Sequence, residues 1–478
     1  MTGDHRRRLH PWRPQALGRL DERPVRPCAT IVGPLDTAET PLHRTGAQAS
    51  AEPRASATTG ESSRDSRHSL LASALGLALT IAACGSTSAL SEASSSPTEG
   101  QSSGGETSDE PSTSNTGTGT GTSTGESGGD PSAAQQVIRG GIIVGLGVAD
   151  IAIADGVITE IGAIAVTPEE VTIAAEGRWI VPAGIDSHVH LDYLRAPLPM
   201  AAGGIAVAVD LAAPMAIFDE RRAGEFAPLE LLVAGPMLAA PGGYPTQSWG
   251  SGGFGLECAN TEEAVAAVDD LASRGASLVK ISLENGPRLS DETIAAVITR
   301  AHERDLRVFA HTLGDADAAT AAALGVDGLA HTPLEPLSPA TIAAFDGLAV
   351  ISTLHAFGSG EAAMSNLGAL HEVGATILYG TDFGNSVTAG IDPIELMSMM
   401  AAGLEPPEVL AALTSTPAAF WGLSHGRVEV GAPASVLLLS GDPTSDALLL
   451  ATPEAVYLDG VLQDLGFLGG VGIAVEPK

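Results

Sequence analysis

Two histidines one residue apart, His188 and His190, lie in the stretch GRWIVPAGIDSHVHLD. On an extended backbone residues two apart point the same way, so both imidazoles face one side of the chain. Lys280, His311, His331 and Asp382 follow, each at or near the end of a short apolar segment. Imidazole nitrogens and carboxylate oxygens are the ligand types that suit zinc or a similar divalent ion. A single histidine of this kind is ordinarily a hydrogen-bonded core residue; four of them, with a lysine and an aspartate in matching positions, argue for a metal site. Lys280 differs in kind, because an ammonium is a poor ligand. Apart from Lys478 it is the only lysine in the chain, and it sits inside the apolar run Leu278-Val279-Lys280-Ile281. An unpaired ammonium is costly there. Carboxylation by carbon dioxide would turn it into a ligand.

The elements that must position these groups alternate. After residue 180, short β-rich segments exchange with helical ones, the pattern of a parallel sheet wrapped by helices. Eight strands are predicted: Ile180–Ser187, Gly204–Leu211, Leu229–Gly235, Ser277–Leu283, Arg307–Ala310, Gly328–Ala330, Leu348–Thr353 and Thr376–Tyr379. Helices such as Thr261–Arg274 and Asp291–Glu303 fall between them, each opening on a capping-type residue followed by acidic ones. Eight such units predict an α/β fold of the (β/α)8, TIM-like barrel type over 181–425, with reactive groups at the C-terminal ends of the strands. The flanking stretches 134–180 and 426–478 read as strands without helices. Each is too short for its own core, so together they are expected to form one small β-sandwich domain on which the barrel is mounted.

Composition bounds the rest. The chain has 478 residues, 44% hydrophobic and 17% charged, with 57 glycines: enough for a large core, many turns and a flexible tract. A formal charge of -33 argues against nucleic acid or an anionic membrane surface as partner. Three cysteines, Cys28, Cys84 and Cys258, are too few for a disulfide framework and have no zinc-type spacing. The apolar run LLASALGLALTIAA, with Arg64 and Arg67 before it and Cys84 after it, is short for a bilayer span and reads as a secretory signal over 67–84. Ile81-Ala82-Ala83-Cys84 is similar to the lipobox of bacterial lipoproteins, which would make Cys84 the lipidated residue. Residues 1–66, rich in arginine and proline, form a leader without sustained apolar period, as from a start assigned too far upstream. Residues 85–133, rich in Ser, Thr, Gly and Glu, cannot bury enough surface to offset ordering entropy and are expected to be a disordered tether. The expected location is extracytoplasmic, on a bacterial membrane through the lipid anchor alone.

Taken with these motifs, residues 137–468 resemble the amidohydrolase superfamily, in its imidazolonepropionase-like and prolidase-like branches. GRWIVPAGIDSHVHLD is similar to the family's first-strand signature, VKISL to its fourth-strand lysine segment, YGTDFG to its final aspartate motif, and GRVEVGAPASVLLLSGDP to the return into the small domain. The resemblance implies that His188, His190 and Asp382 hold one divalent metal and His311 and His331 a second, with carboxylated Lys280 and a hydroxide bridging them. It implies hydrolysis of a C–N bond in a small molecule (amide, peptide or cyclic amide), with Asp382 as general base and then acid. Zinc is the first metal to expect, with manganese, iron and cobalt as alternatives. Tyr244 in a glycine-rich loop, His355 past the seventh strand and Asn385 past the eighth are weaker candidates for substrate binding. A homo-oligomer is admitted. Two other readings stand beside this one. A mononuclear deaminase of the same fold often carries a glutamate three residues after a strand-end histidine, where this chain has Gly314 after His311. A non-catalytic surface lipoprotein on the same scaffold would have eroded ligands.

Overall fold

The computed structural model describes residues 136–468, apart from 169 and 285. It is a mixed α/β structure. Among the described residues no helix is long and apolar enough to cross a membrane. The predicted leader, signal and tether, with Cys84, lie outside the described residues.

The chain opens with five strands: β1 (Gln136–Ile143), β2 (Gly147–Ala154), β3 (Val157–Gly162), β4 (Val171–Ala174) and β5 (Trp179–Pro182). The last strands, β16 (Val436–Leu439), β17 (Ala455–Leu458) and β18 (Val461–Leu462), join them in one eight-stranded sheet, through antiparallel pairing of Leu437 with Val181 and Leu438 with Ile180. This sheet has a core of its own, in which Ile138, Ile151, Ile153 and Ile180 pack against Val436, Leu438 and Tyr457. Segments far apart in sequence thus share one sheet and one apolar face.

Between them run β6 (Gly184–Val189), β7 (Ile205–Asp210) and β8 (Glu230–Val233) as one parallel sheet. A second parallel sheet has the order β10-β9-β11-β12-β13-β14-β15, with β9 (Met237–Ala239), β10 (Gly255–Glu257), β11 (Leu278–Ser282), β12 (Arg307–His311), β13 (Gly328–Leu329), β14 (Ala349–Ile351) and β15 (Thr376–Leu378). Backbone bonds run between the two sheets at both edges: the Ser277 N–H, just before β11, donates to Val233 O of β8 at 2.8 Å, and the Ser187 N–H of β6 donates to Tyr379 O, just after β15, at 2.9 Å. Strands such as IAVAVD and LVKIS are buried at every position, because helices cover their outer faces. Those helices stop and start where the sequence places caps. In Thr261–Arg274 the Asn260 side chain accepts from the Glu263 N–H and Gly275 ends the helix at φ 90°. Asp291–His302 is capped by Ser290.

Two differences from the sequence expectation have physical causes. The predicted strand Ile180–Ser187 is two strands, since the chain changes sheet at Ala183, whose N–H goes to Ser435 O while that of Gly184 goes to Gly204 O. The three-residue strands β9 and β10 flank a loop rich in glycine and proline, too short to show a period.

Candidate metal centre

The strand ends bring the predicted residues together in part. His188 and His190, on and just after β6, project to the same side. His188 Nε2 and His190 Nε2 are 3.3 Å apart, Lys280 Nζ from β11 is 3.2 Å from His188 Nε2, and Asp382 Oδ1 is 3.4 Å from His188 Nε2 and 3.2 Å from His190 Nε2. All four side chains are essentially sealed from solvent. Among the described residues, His188, His190 and Asp382 form the one group of three whose ligand atoms lie within 4.8 Å of one another.

Close backbone approach makes this geometry. The YGTDFG segment runs beside β6, with the His190 N–H donating to Phe383 O at 2.6 Å. A Cβ on Gly380 would sit 2.4 Å from Ile351 and 3.1 Å from the His188 backbone; one on Gly384, at φ 115°, would sit 2.8 Å from His190 Cβ. Both glycines are therefore required. Asp382 itself adopts φ 51°, an uncommon region for a residue with a side chain. Asp186, two residues before His188, ties the strands together by accepting from the His188 and Thr381 N–H groups and the Thr381 hydroxyl. Burial pushes its carboxyl up to about 7. Asp210 does the same for the chain after His190, accepting from Leu191, Asp192 and Ala212 N–H groups, and burial raises it to about 6.

The donor set fits a cation. His188 Nδ1 donates to Ala330 O at 2.7 Å and His190 Nδ1 to Ala212 O at 3.2 Å. A carbonyl only accepts, so in both rings Nδ1 carries the proton and Nε2 is directed inward. Burial, with Lys280 second, holds His188 well below the usual histidine value. Two inward Nε2 atoms 3.3 Å apart repel unless something positive lies against them, a place that the Lys280 amine, 3.2 Å from His188 Nε2, or a metal ion can take. His311 Nε2 meets Glu284 Oε2 at 2.7 Å, which leaves His311 Nδ1 buried and without a hydrogen-bond partner. A histidine oriented by a carboxylate on one nitrogen, with the other free, is the arrangement of a metal ligand. His331 Nδ1 is 3.1 Å from the Thr353 hydroxyl; Thr353, β-branched, is held at φ 44°. Burial lowers both histidines, most strongly His331.

The His311 and His331 ring centroids are 4.8 Å apart, and His331 lies 4.5 Å from His188. These two histidines thus adjoin the cluster without sharing its tight donor spacing. Burial brings the Lys280 amine down to about 8, within reach of its neutral form near neutral pH. Of the weaker candidates, Asn385 donates from Nδ2 to Asp382 Oδ1 at 3.1 Å. Tyr244 stacks on His311 with centroids 4.4 Å apart, and its hydroxyl accepts from Trp249 Nε1 at 2.8 Å. His355 instead bonds Asp392 at 2.5 Å through Nδ1, and its N–H donates to Glu395. Sequence reasoning missed Glu284, Thr353, Asp210 and Trp249. Only Asp186, a carboxylate in an apolar strand two residues before the histidine pair, carried a signal.

The profile of the amidohydrolase family matches residues 179–464, and the chain belongs to that family. Over 88 residues it is 39% identical to the D-hydantoinase of Ralstonia pickettii, covering 16% of this chain and 19% of that one. The chain thus spans about a fifth of the curated relative that it matches. Solved structures share the fold at lower identity. A Xaa-Pro dipeptidase with bound methionine is 19% identical with TM-score 0.60, over 69% of this chain and 99% of its own. Molinate hydrolase is 18% identical with TM-score 0.59, over 73% and 97%, and the ochratoxinase of A. niger 18% with 0.57, over 69% and 95%.

Proposed function

We propose that the chain is a two-metal hydrolase that cleaves the C–N bond of an amide, peptide or cyclic amide. What carries this reading is the convergence of His188, His190, Lys280 and Asp382, with neighbouring donor atoms 3.2–3.4 Å apart in a sealed site. In it, β6, β7, β8 and β11–β15 close into a (β/α)8 barrel through the bonds between the two parallel sheets, and the flanking sheet folds over its own core as a small sandwich. His188, His190 and Asp382 would hold one divalent ion, zinc before others, and His311 and His331 a second. Lys280 would lie between them as a carbamate, formed when its neutral amine adds carbon dioxide and releases a proton, which replaces a buried cation by an anion facing the ions. Two bound cations would lower the pKa of a water and polarise the substrate carbonyl. Asp382, steadied by Asn385, takes a proton from the attacking water and returns it to the leaving nitrogen.

Elemental analysis of the full chain and of Lys280→Ala, beside a turnover screen of amides, dipeptides and cyclic amides, tests this. Two ions per chain, fewer in the variant, and turnover of a member of the screen are expected. One ion in both proteins favours a mononuclear deaminase-like reading, which has its own support in the single three-residue cluster. Bound metal with no turnover leaves a binding scaffold. The predicted signal and Cys84 extend the proposal to an extracytoplasmic enzyme on a lipid anchor; Cys84→Ala should abolish incorporation of labelled fatty acid.

A further inference from the structure

Aromatic residues are scarce in this chain: 4% of the sequence, with 4 Trp and 4 Tyr. Their placing is uneven. Each of three histidines of the centre has an aromatic ring against it: Trp249 on His190 at 4.9 Å between centroids, Tyr244 on His311 at 4.4 Å and Phe357 on His331 at 5.0 Å. Tyr193 and Phe254 continue the set, with Tyr193 at 6.1 Å from Trp249 and 5.6 Å from Phe254. The histidines are buried, whereas Tyr193, Tyr244, Trp249 and Phe357 are partly exposed. Three of the chain's eight tryptophans and tyrosines, Tyr193, Tyr244 and Trp249, thus gather beside these histidines, with the buried Phe254 behind them.

Charge around these rings is already matched. Arg195, two residues after Tyr193, has its terminal nitrogens bound by Glu220 and Glu225 and lies near Asp192, while its Nε is buried without a hydrogen-bond partner. Glu284 is engaged by His311, Asp382 by His188 and His190, and Asp392 by His355. The Arg195 guanidinium therefore already carries two carboxylates and would have to give one up to receive a third. A carboxylate carried on the far side of the substrate's aromatic group, away from the ions of the proposed centre, would meet aromatic faces and would lose its hydration without a partner. An uncharged ring would meet π-faces that favour offset or edge contact.

We infer that Tyr193, Tyr244, Trp249, Phe254 and Phe357 form an aromatic collar that selects uncharged amides whose acyl side carries a flat aromatic group, and rejects those with a carboxylate on that group. This rests on the hydrolase reading of the same site. Trp249 is its central residue, since it touches His190 and lies within 6.3 Å of the Tyr193, Tyr244 and Phe254 rings.

The test uses the full, metal-loaded chain and three amides that all release ammonia: benzamide, acetamide and 4-carboxybenzamide. Binding is followed by calorimetry and turnover by ammonia release, with metal content measured in every variant. Benzamide should bind and react at least about 10-fold better than either other amide. Trp249→Ala should bring the benzamide-to-acetamide ratio down by about 10-fold at unchanged metal content, and Trp249→Phe should restore most of it. If 4-carboxybenzamide matches benzamide, if acetamide comes within about 3-fold of it, or if none of the three binds, the collar is wrong. A Trp249→Ala protein that loses thermal stability yet keeps the wild-type ratio also overturns it, since the ring would then be structural. The expected order of binding without any ammonia release would keep the collar and remove the hydrolase reading instead.

Discussion

The two halves of the centre are built differently. On one side His188, His190 and Asp382, with Lys280, have donor atoms 3.2–3.4 Å from their neighbours. Two of those groups come from one strand end, and the glycines of YGTDFG press the third against it. On the other side His311 and His331 come from separate strands, 4.8 Å apart at their centroids, and each depends on a side chain for its aim: Glu284 for His311, Thr353 for His331. Backbone geometry sets the first half; the second is set by the Glu284 carboxylate and the Thr353 hydroxyl that meet its rings. The first half should therefore tolerate loss of outer partners better than the second.

The largest test of that contrast is Asp382→Asn, which keeps the shape of the first half and removes the proposed base. A fall in kcat of about 10²- to 10⁴-fold is expected in steady-state assays, with folding unchanged by circular dichroism. Glu395 provides a reference outside both halves. It is fully buried, accepts the Leu354 and His355 N–H groups, and burial raises it to about 7. The folded state therefore keeps a proton that the unfolded chain releases, so this contribution is full below about pH 4.5 and is lost as pH rises through about 7. Glu395→Gln should flatten the pH dependence of urea stability in that window by on the order of 3 kcal/mol, with metal content unchanged. Next, Glu284→Gln should weaken binding of the proposed second ion alone by about 10- to 100-fold in competitive chelator titrations; equal loss of both ions would erase the distinction between the halves. The smallest effect belongs to Asn385→Ala, about 5-fold in kcat/KM, because it removes one hydrogen bond to a carboxylate whose position the backbone already fixes.

The same contrast explains what the sequence disclosed. His188 and His190 were legible because period two on a strand converts spacing directly into direction, and Lys280 because a lone lysine in an apolar strand has no ordinary use. All eight predicted central segments carry a strand, since each is a compact β-rich run set between helical or turn segments. Glu284 and Thr353 were not legible, being ordinary residues whose importance comes only from which ring nitrogen they meet across the sheet. Trp249 lay hidden in a loop without period, and the change of sheet at Ala183 could not be seen because both halves of Ile180–Ser187 are equally apolar.

The shared flanking sheet has a consequence for how the protein is made. Val436–Leu439 pairs with Trp179–Pro182, so a strand near the start of the globular part waits for one near its end. During synthesis every intervening strand and helix emerges first, while Trp179–Pro182 offers an apolar edge with no neighbour on that side. An unpaired edge of this kind is a template for aggregation. Ribosomes that stall before Val436 would therefore release chains bearing a nearly complete centre and an open, adhesive flank, and quality control would have to act on the flank.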